Sequence, residues 1–319
     1  MRCFEHKLLS YLGSDLLRRT DPFHMTYPIS IIIPVYKNYE MFYWYLEINK
    51  KYFDGCEVII MNDYPLENIT KQVKKIYPES IVVNNKKNLG FAGNVNRGVL
   101  KATRNYIFLI NSDVVIKDNS FLKSLEYFIK DQKLFAVGFA QIEKDGKIVG
   151  ANRAYFQNGF INHSHQQVTS HQQLISNFWA EGGSSIFNKK LFIDLGLLDE
   201  LFNPFYWEDI DLSYRAWKAG YKILYDPNIK VEHHHESTIG KYFDKSKILK
   251  IAFRNQLIFH WKNLTDKDLI LKHLFNIPKF IFVPGFFDAL VKLPKVLKSR
   301  KKTVKLFKKT DKEILDLFN

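Results

Sequence analysis

Four short apolar runs, each closing on polar residues, constrain this chain more than any other feature. They are ISIIIPVY (29–36), CEVIIMND (56–63), SIVVNN (80–85) and NYIFLINSD (105–113). Helical stretches separate them: about Glu40 to Lys51, then LENITKQVKKIY (66–77) and FAGNVNRGVLKAT (91–103). Strands and helices alternating at this spacing predict an α/β domain with a mostly parallel central sheet wound by right-handed crossovers and flanked by helices. In such sheets ligands bind beyond the carboxyl ends of the strands. The polar residues at three of those ends, Tyr36 with Lys37, Asn62 with Asp63, and Asn111 to Asp113, are therefore expected to converge on one cleft.

After Asp113 the pattern loosens. NSFLKSLEYFIKD (119–131) predicts a helix, and the segment around Asp145-Gly146 a hairpin. Residues 152–177, rich in His, Gln and Asn, are expected to form a mobile loop over the cleft. EDIDLSYRAWKAG (208–220) predicts a helix ending at Gly220, and YKILYDP (221–227) a further strand. From about Ser246 the chain is basic, aromatic and helical. The apolar run LFNIPKFIFVPGFFDALVKL (274–293) is broken by Pro278, Lys279, Pro284, Gly285 and Asp288, so no twenty-residue span survives. Three regions are expected: an N-terminal extension (1–27), a catalytic domain (28–240) and a basic helical C-terminal appendage (241–319).

The formal charge is +14, from 47 Lys and Arg against 33 acids, which favours polyanionic partners. Residues 291–319 hold ten of the basic residues and three acids, so about half of the excess lies in the last tenth of the chain. This tail mixes Leu, Val and Phe with Lys, which suits an anionic membrane surface. No helix-turn-helix, zinc or RNA-recognition signature accompanies the charge, so nucleic acid is not an expected partner. Two unclustered cysteines and the lack of a signal-peptide pattern point to a reducing compartment. The expected location is cytoplasmic, peripheral on the inner face of the cell membrane.

The window FYWEDIDLSYR (205–215) sets Glu208, Asp209 and Asp211 directly after three aromatics. The helix macrodipole favours acids in a first turn. It does not account for the aromatics. Ring faces beside a carboxylate suit a sugar, stacking on C–H surfaces while the acid takes a hydroxyl proton. Asp113, closing a strand at the cleft, suits a divalent cation that bridges a diphosphate, although Asp-ended strands are also common turn starts. A histidine of the cluster 233–235 could supply a nitrogen ligand.

The motifs IIIPVYKN, IIMND, NLGFAGNVNRG, LINSDV, WAEGGSSIF, LGLLDELF, YWEDIDLSYR and VEHHHEST, in this order from about Ser30 to Thr238, resemble the family 2 glycosyltransferases with the GT-A fold. The N-L-G-F-A-G and E-D-x-D-L signatures look most like the bacterial rhamnosyltransferase branch. By that resemblance Pro34 and Tyr36 border the nucleotide pocket, and Asn62 and Asp63 read the base or ribose. Asn88, Gly90 and Arg97 line the donor side. Asn111 and Asp113 occupy the D-x-D position in its N-x-D form. Asp113 is then the metal ligand with His233, while His234 and His235 stay candidates, and the cation is Mg2+ or Mn2+. Asp209 is the base, Glu208 positions the acceptor and Asp211 is structural. Trp179, Trp207, Gly182 and Gly183 shape the acceptor and diphosphate wall.

The resemblance implies inverting transfer of a sugar from a nucleotide-diphosphate donor to a hydroxyl of a cell-surface glycan or lipid-linked acceptor. Deoxythymidine-diphosphate rhamnose is the first expected donor, with uridine-diphosphate hexoses behind it. Processive synthases of the same family are disfavoured by the missing membrane span and the missing Q-x-x-R-W motif. A sugar nucleotidyltransferase would need a glycine-rich basic loop after the first strand, and PVYKNYEM is not one. The alternative is a catalytically inactive sugar-nucleotide-binding or membrane-tethered scaffold, against which Asp113, Asp209 and His233 together speak.

Overall fold

The computed structural model describes residues 19–21, 24–166, 173–233 and 238–318. A small antiparallel pair, β1 (Arg19–Asp21) and β2 (His24–Met25), precedes the main body. The parallel half of the sheet is β3 (Ile29–Val35), β4 (Glu57–Asn62), β5 (Ile81–Asn84) and β6 (Tyr106–Ile110). Alternate residues of β3 face opposite ways: Ile29, Ile31 and Ile33 enter one apolar cluster and Ile32 the other. A strand covered on both faces must be apolar throughout, which is why these runs do not alternate. The crossovers carry α1 (Tyr39–Asn49), α2 (Thr70–Ile76) and α3 (Gly90–Lys101).

The other half is mixed. It contains β7 (Val114–Ile116), β8 (Leu134–Ile142), β9 (Ile148–Val149), β12 (Ile175–Ser176), β13 (Ser184–Asn188) and β14 (Lys222–His233). The main order is β12-β14-β8-β13-β6-β3-β4-β5, with β7 on β14 and β9 on β8. β13 runs antiparallel between β6 and β8, whereas β14 is parallel to β8. Helix α4 (Ser124–Lys130) follows a 3-10 turn at Asn119–Lys123, and α5 (Lys189–Asp194) follows β13.

Three expectations are corrected. The segment 66–77 is helical only from Thr70, because Asn62 and Asn84 bind the backbone before it. Asn62 Nδ2 donates to Glu67 O (2.7 Å), and Ile69 N donates to Asn84 Oδ1 (3.2 Å), so these side chains compete with helical bonding. Much of 152–177 is ordered: β10 (Asn152–Gln157) and β11 (Phe160–His165) form a hairpin around Asn158-Gly159, both at positive φ. The Asn-Gly pair was its sequence signal. Residues 167–172 of that segment lie outside the described residues. Finally, β14 does not stop at Pro227. Its register shifts between Asp226 and Lys230, a bulge that accommodates the proline and lets the strand reach His233.

Beyond α6 (Glu208–Lys218) and the short α7 (Thr238–Tyr242), the C-terminal region is helical. It comprises α8 (Lys245–Asn263), α9 (Lys267–Asn276), α10 (Phe286–Thr303) and α11 (Asp311–Leu315). Leu257, Ile258 and Phe259 of α8 are fully buried in the same cluster as Trp207, Tyr214 and Trp217. Asp311 joins the far end to α6, accepting from Lys218 Nζ (2.7 Å) and Tyr214 Oη (2.6 Å). These helices and the sheet thus share one core. Among the described residues no helix is long and apolar enough to cross a membrane.

Candidate active site

Strand register gathers the polar ends. Val35 pairs with Asn62 and Asn62 with Asn84, so β3, β4 and β5 finish side by side. Asn62 is fully buried, and its side chain is engaged on all sides: besides Glu67 it donates to Asn84 Oδ1 (2.9 Å) and accepts from Tyr39 Oη (3.0 Å). The expected contact to base or ribose does not fit it; Asn62 builds the loop instead. Asp63 accepts from Asn85 Nδ2 (2.8 Å) and Leu89 N (2.9 Å), and burial pushes its carboxyl above the usual range. Arg97 reaches the same rim, donating to Asn85 Oδ1 (2.5 Å). Asn88 Oδ1 accepts from Gly90 N (2.8 Å). Gly90 has φ +72, and a Cβ there would lie 2.6 Å from Asn203 Oδ1, so Asn88 and Gly90 form the turn that starts α3. Pro34 pairs with Met61 inside the sheet. Tyr36 packs edge-on against Tyr64 (5.9 Å) and Tyr242 (6.3 Å), with the Lys37 ammonium 4.8 Å from the Tyr64 ring.

Beyond β6, pairing between distant strands makes the chemistry. Val114 of β7 pairs with His233 of β14, which brings His233 Nε2 to 3.2 Å from Asp113 Oδ1. His233 Nδ1 lies 2.7 Å from Gln141 Oε1, and Gln141 Nε2 donates to Glu181. The Glu181 carboxylate can only accept, so the Gln141 amide must turn its oxygen to His233. That places a proton on Nδ1 and turns Nε2 toward the Asp113 carboxylate. An imidazole nitrogen and a carboxylate, both nearly buried, are residue types that fit a divalent cation once that nitrogen is deprotonated. No third His, Cys, Asp or Glu completes a cluster with them among the described residues. His234 and His235 lie outside those residues.

Gly182 and Gly183 connect this pair to the acids of α6. Asn111 N donates to Gly183 O (3.0 Å), and a Cβ on Gly183 would sit 2.5 Å from Asn111 Nδ2. Gly182 N donates to Asp209 Oδ2 (3.2 Å), and Ile210 N to Asp209 Oδ1 (2.8 Å). Burial raises the Asp209 carboxyl to about 6 against those bonds, with Glu181 adding repulsion. Glu208 is more deeply buried and is raised well above the usual range by burial and by Asp209. Its Oε2 has no hydrogen-bond partner among the described residues. Asp211 points inward instead, paired with Arg215 (2.8 Å) and Lys262 (2.7 Å) and accepting from Asn263 (2.7 Å).

The entry to α6 is strained. Tyr206 and Trp207 have φ of 71 and 76, unusual for bulky residues. Asn255 of α8 holds this turn, its Nδ2 donating to the carbonyls of Phe202 (2.6 Å), Phe205 (2.9 Å) and Tyr206 (2.8 Å). The expected aromatic floor is corrected here. Trp207 packs on Phe259 (ring centroids 5.1 Å apart), and Trp179 is covered by His163 (4.8 Å). Both indoles are nearly buried, and Tyr206 is the exposed ring.

Glu181, Gln141 and Asn255 were not identified from the sequence. Glu181 had a signal, a carboxylate between Trp179 and the glycine pair. Gln141 and Asn255 had none, since an amide in a strand or helix looks the same whatever it bonds.

The geometry agrees with what comparison finds. The profile "Glycosyl transferase family 2" matches residues 30–196. Poly-beta-1,6-N-acetyl-D-glucosamine synthase of Staphylococcus aureus (strain COL) is 27% identical over 180 residues, 55% of this chain and 42% of that protein. The enzyme of the same name from Staphylococcus epidermidis is 28% identical over 177 residues, 54% and 41%. The match thus spans about two fifths of those relatives' length. Among solved structures, GalNAc-T7 with UDP, GalNAc and Mn2+ has a TM-score of 0.60 at 15% identity, covering 89% of this chain and 57% of that one. Mannosyltransferase PcManGT from Pyrobaculum calidifontis in complex with GDP-Man and Mn2+ gives 0.53 at 12%, covering 95% and 81%. Residues 1–349 of S. aureus TarS give 0.51 at 14%, covering 91% and 82%. The fold is GT-A, and the chain belongs to glycosyl transferase family 2.

Proposed function

We propose that this chain transfers a sugar, with inversion, from a nucleotide-diphosphate donor to an acceptor hydroxyl. The observation that carries the reading is the Gly182-Gly183 bridge, which sets the Asp209 carboxylate a few residues from Asn111 and the Asp113–His233 pair. Asp209, raised to about 6, is largely ionised at neutral pH and basic enough to take the acceptor's proton at its Oδ. Glu208, its carboxyl raised well above the usual range by burial and by Asp209, stands beside the base and positions the acceptor. Asp113 and His233 would hold Mg2+ or Mn2+, which when bound supplies positive charge against the departing diphosphate. The Gly182 N–H fixes the orientation of Asp209 throughout.

The N-L-G-F-A-G signature supports deoxythymidine-diphosphate rhamnose as donor. The names of the sequence relatives and of GalNAc-T7 bring a uridine-diphosphate N-acetylhexosamine level with it. For the acceptor, the basic C-terminal region favours a cell-surface glycan or lipid-linked sugar at the inner face of the membrane. A thermal-shift panel of nucleotide sugars, each with and without Mn2+, tests the donor, because at a given concentration a tighter ligand raises the melting temperature more. One nucleotide sugar should stabilise more with Mn2+ than without. A flat response across the panel would sink the reading.

A further inference from the structure

The face built by α9, the turn after it and the first half of α10 is apolar where it meets water. Between residues 271 and 297 lie eight of the eighteen large hydrophobic side chains that are exposed among the described residues. Single exposed leucines need no explanation, but such a concentration marks a contact surface. Phe282 is 90% exposed, Val291 81% and Phe275 80%. Behind them runs an apolar groove of about 390 Å³. Its lining includes the α10 stripe Phe286, Leu290, Leu293 and Leu297, Trp261 of α8 and Leu264 just past that helix. Leu290 and Leu297 remain part-exposed at 38% and 47%, so the groove opens onto the face.

Charge identifies the occupant. Between 267 and 310 the acids are Asp268 and Asp288, and both are paired, with Lys312 (2.8 Å) and Lys250 (2.9 Å). Lys272, Lys279, Lys295, Lys298, Lys301 and Lys302 stay exposed among the apolar side chains. Lysine is depleted at the core of protein–protein interfaces, whereas Lys interleaved with Phe and Leu suits the headgroup boundary of an anionic leaflet. The face also backs onto the β10–β11 hairpin. Phe160 packs on His260 (5.0 Å), His273 (4.9 Å) and Phe280 (5.1 Å), and three and five positions further along β11, His163 and His165 meet Trp179.

We propose that this face docks the protein on an anionic bilayer and that the groove receives a lipid hydrocarbon chain. The proposal gives the membrane-proximal acceptor of the preceding section a physical surface, and its binding test does not depend on the transfer chemistry. Full-length protein should float with phosphatidylcholine vesicles containing phosphatidylglycerol, less so at high salt, and far less with phosphatidylcholine alone. The double variant Phe282→Glu, Phe287→Glu should lose partitioning by about tenfold or more. Trp44→Glu, an exposed aromatic on α1, should change nothing. Both Phe side chains point to solvent, so the melt should be kept, as should transfer to a soluble acceptor analogue. Bromine on the acyl chains should quench Trp261, a signal lost in Trp261→Phe. Absence of flotation at low salt, or flotation indifferent to the double variant, would overturn the proposal. So would a concentration-dependent dimer that the double variant dissolves, since the face would then belong to a second copy. Normal flotation with a flat nucleotide-sugar panel would instead overturn the transfer reading alone.

Discussion

At the scale of single residues, two carboxylates in one helical turn have opposite fates because of what surrounds them. Asp211 meets Arg215, Lys262 and Asn263 and is spent on packing, while among the described residues Asp209 meets backbone N–H donors and the acids Glu181 and Glu208. Asp209→Asn should therefore lower turnover by about two to four orders of magnitude while leaving donor binding intact. On the proposed transfer reading, the parent protein's kcat/KM should rise with pH through about 6 and then level, because Asp209 could take a proton only when deprotonated. A pH profile with no inflection near 6 would move the role elsewhere. Gln141 makes a different kind of contribution. It conveys the Glu181 carboxylate to His233 and so sets the imidazole tautomer. Gln141→Leu should weaken Mn2+ binding by about 10- to 100-fold, the usual effect of removing such a support. Calorimetric titration of Mn2+ into the two proteins reads this directly.

At the scale of elements, the site is made by pairings that cross the chain. β13 enters between β6 and β8, so Gly183 lands beside Asn111; β14 reaches β7, so His233 lands beside Asp113. The turn ahead of α6 depends on α8 in the same way, because Asn255 satisfies three carbonyls of 202–206. Asn255→Ala removes all three donor contacts and leaves buried acceptors unpaired. A loss of about 2–4 kcal/mol is expected by denaturant unfolding, and kcat should fall in the surviving folded fraction because Tyr206 and Trp207 are no longer held at positive φ. Unchanged stability would show that the turn holds itself.

At the scale of the whole molecule, the C-terminal helices are part of what holds the sheet and α6 together. Truncation before Pro278 removes α10 and α11, uncovers Leu257, Ile258 and Phe259, and strips the buried Lys218 of its partner Asp311. A buried ion left unpaired is strongly destabilising. The truncated protein is expected to give no cooperative melt, and a sharp one near the parent temperature would show that residues 1–277 fold without the last two helices.

The sequence by itself determined the parallel half of the sheet, since strands covered on both faces must be apolar throughout and nothing else in the chain has that pattern at that spacing. It also marked the acids of 208–211 and the polar strand ends, because short polar side chains beside long apolar runs are legible without a partner. Tertiary structure alone decided which of those residues are free to act. Asn62 proved to be consumed by its own loop, and Trp179 and Trp207 by packing, while Glu181, Gln141 and Asn255 gained roles no local pattern carries. The reason is physical: an amide or an indole can bond loop, core or ligand equally well. What decides among these is the neighbour that folding brings, and His233 and Gln141 are 92 residues apart in the chain.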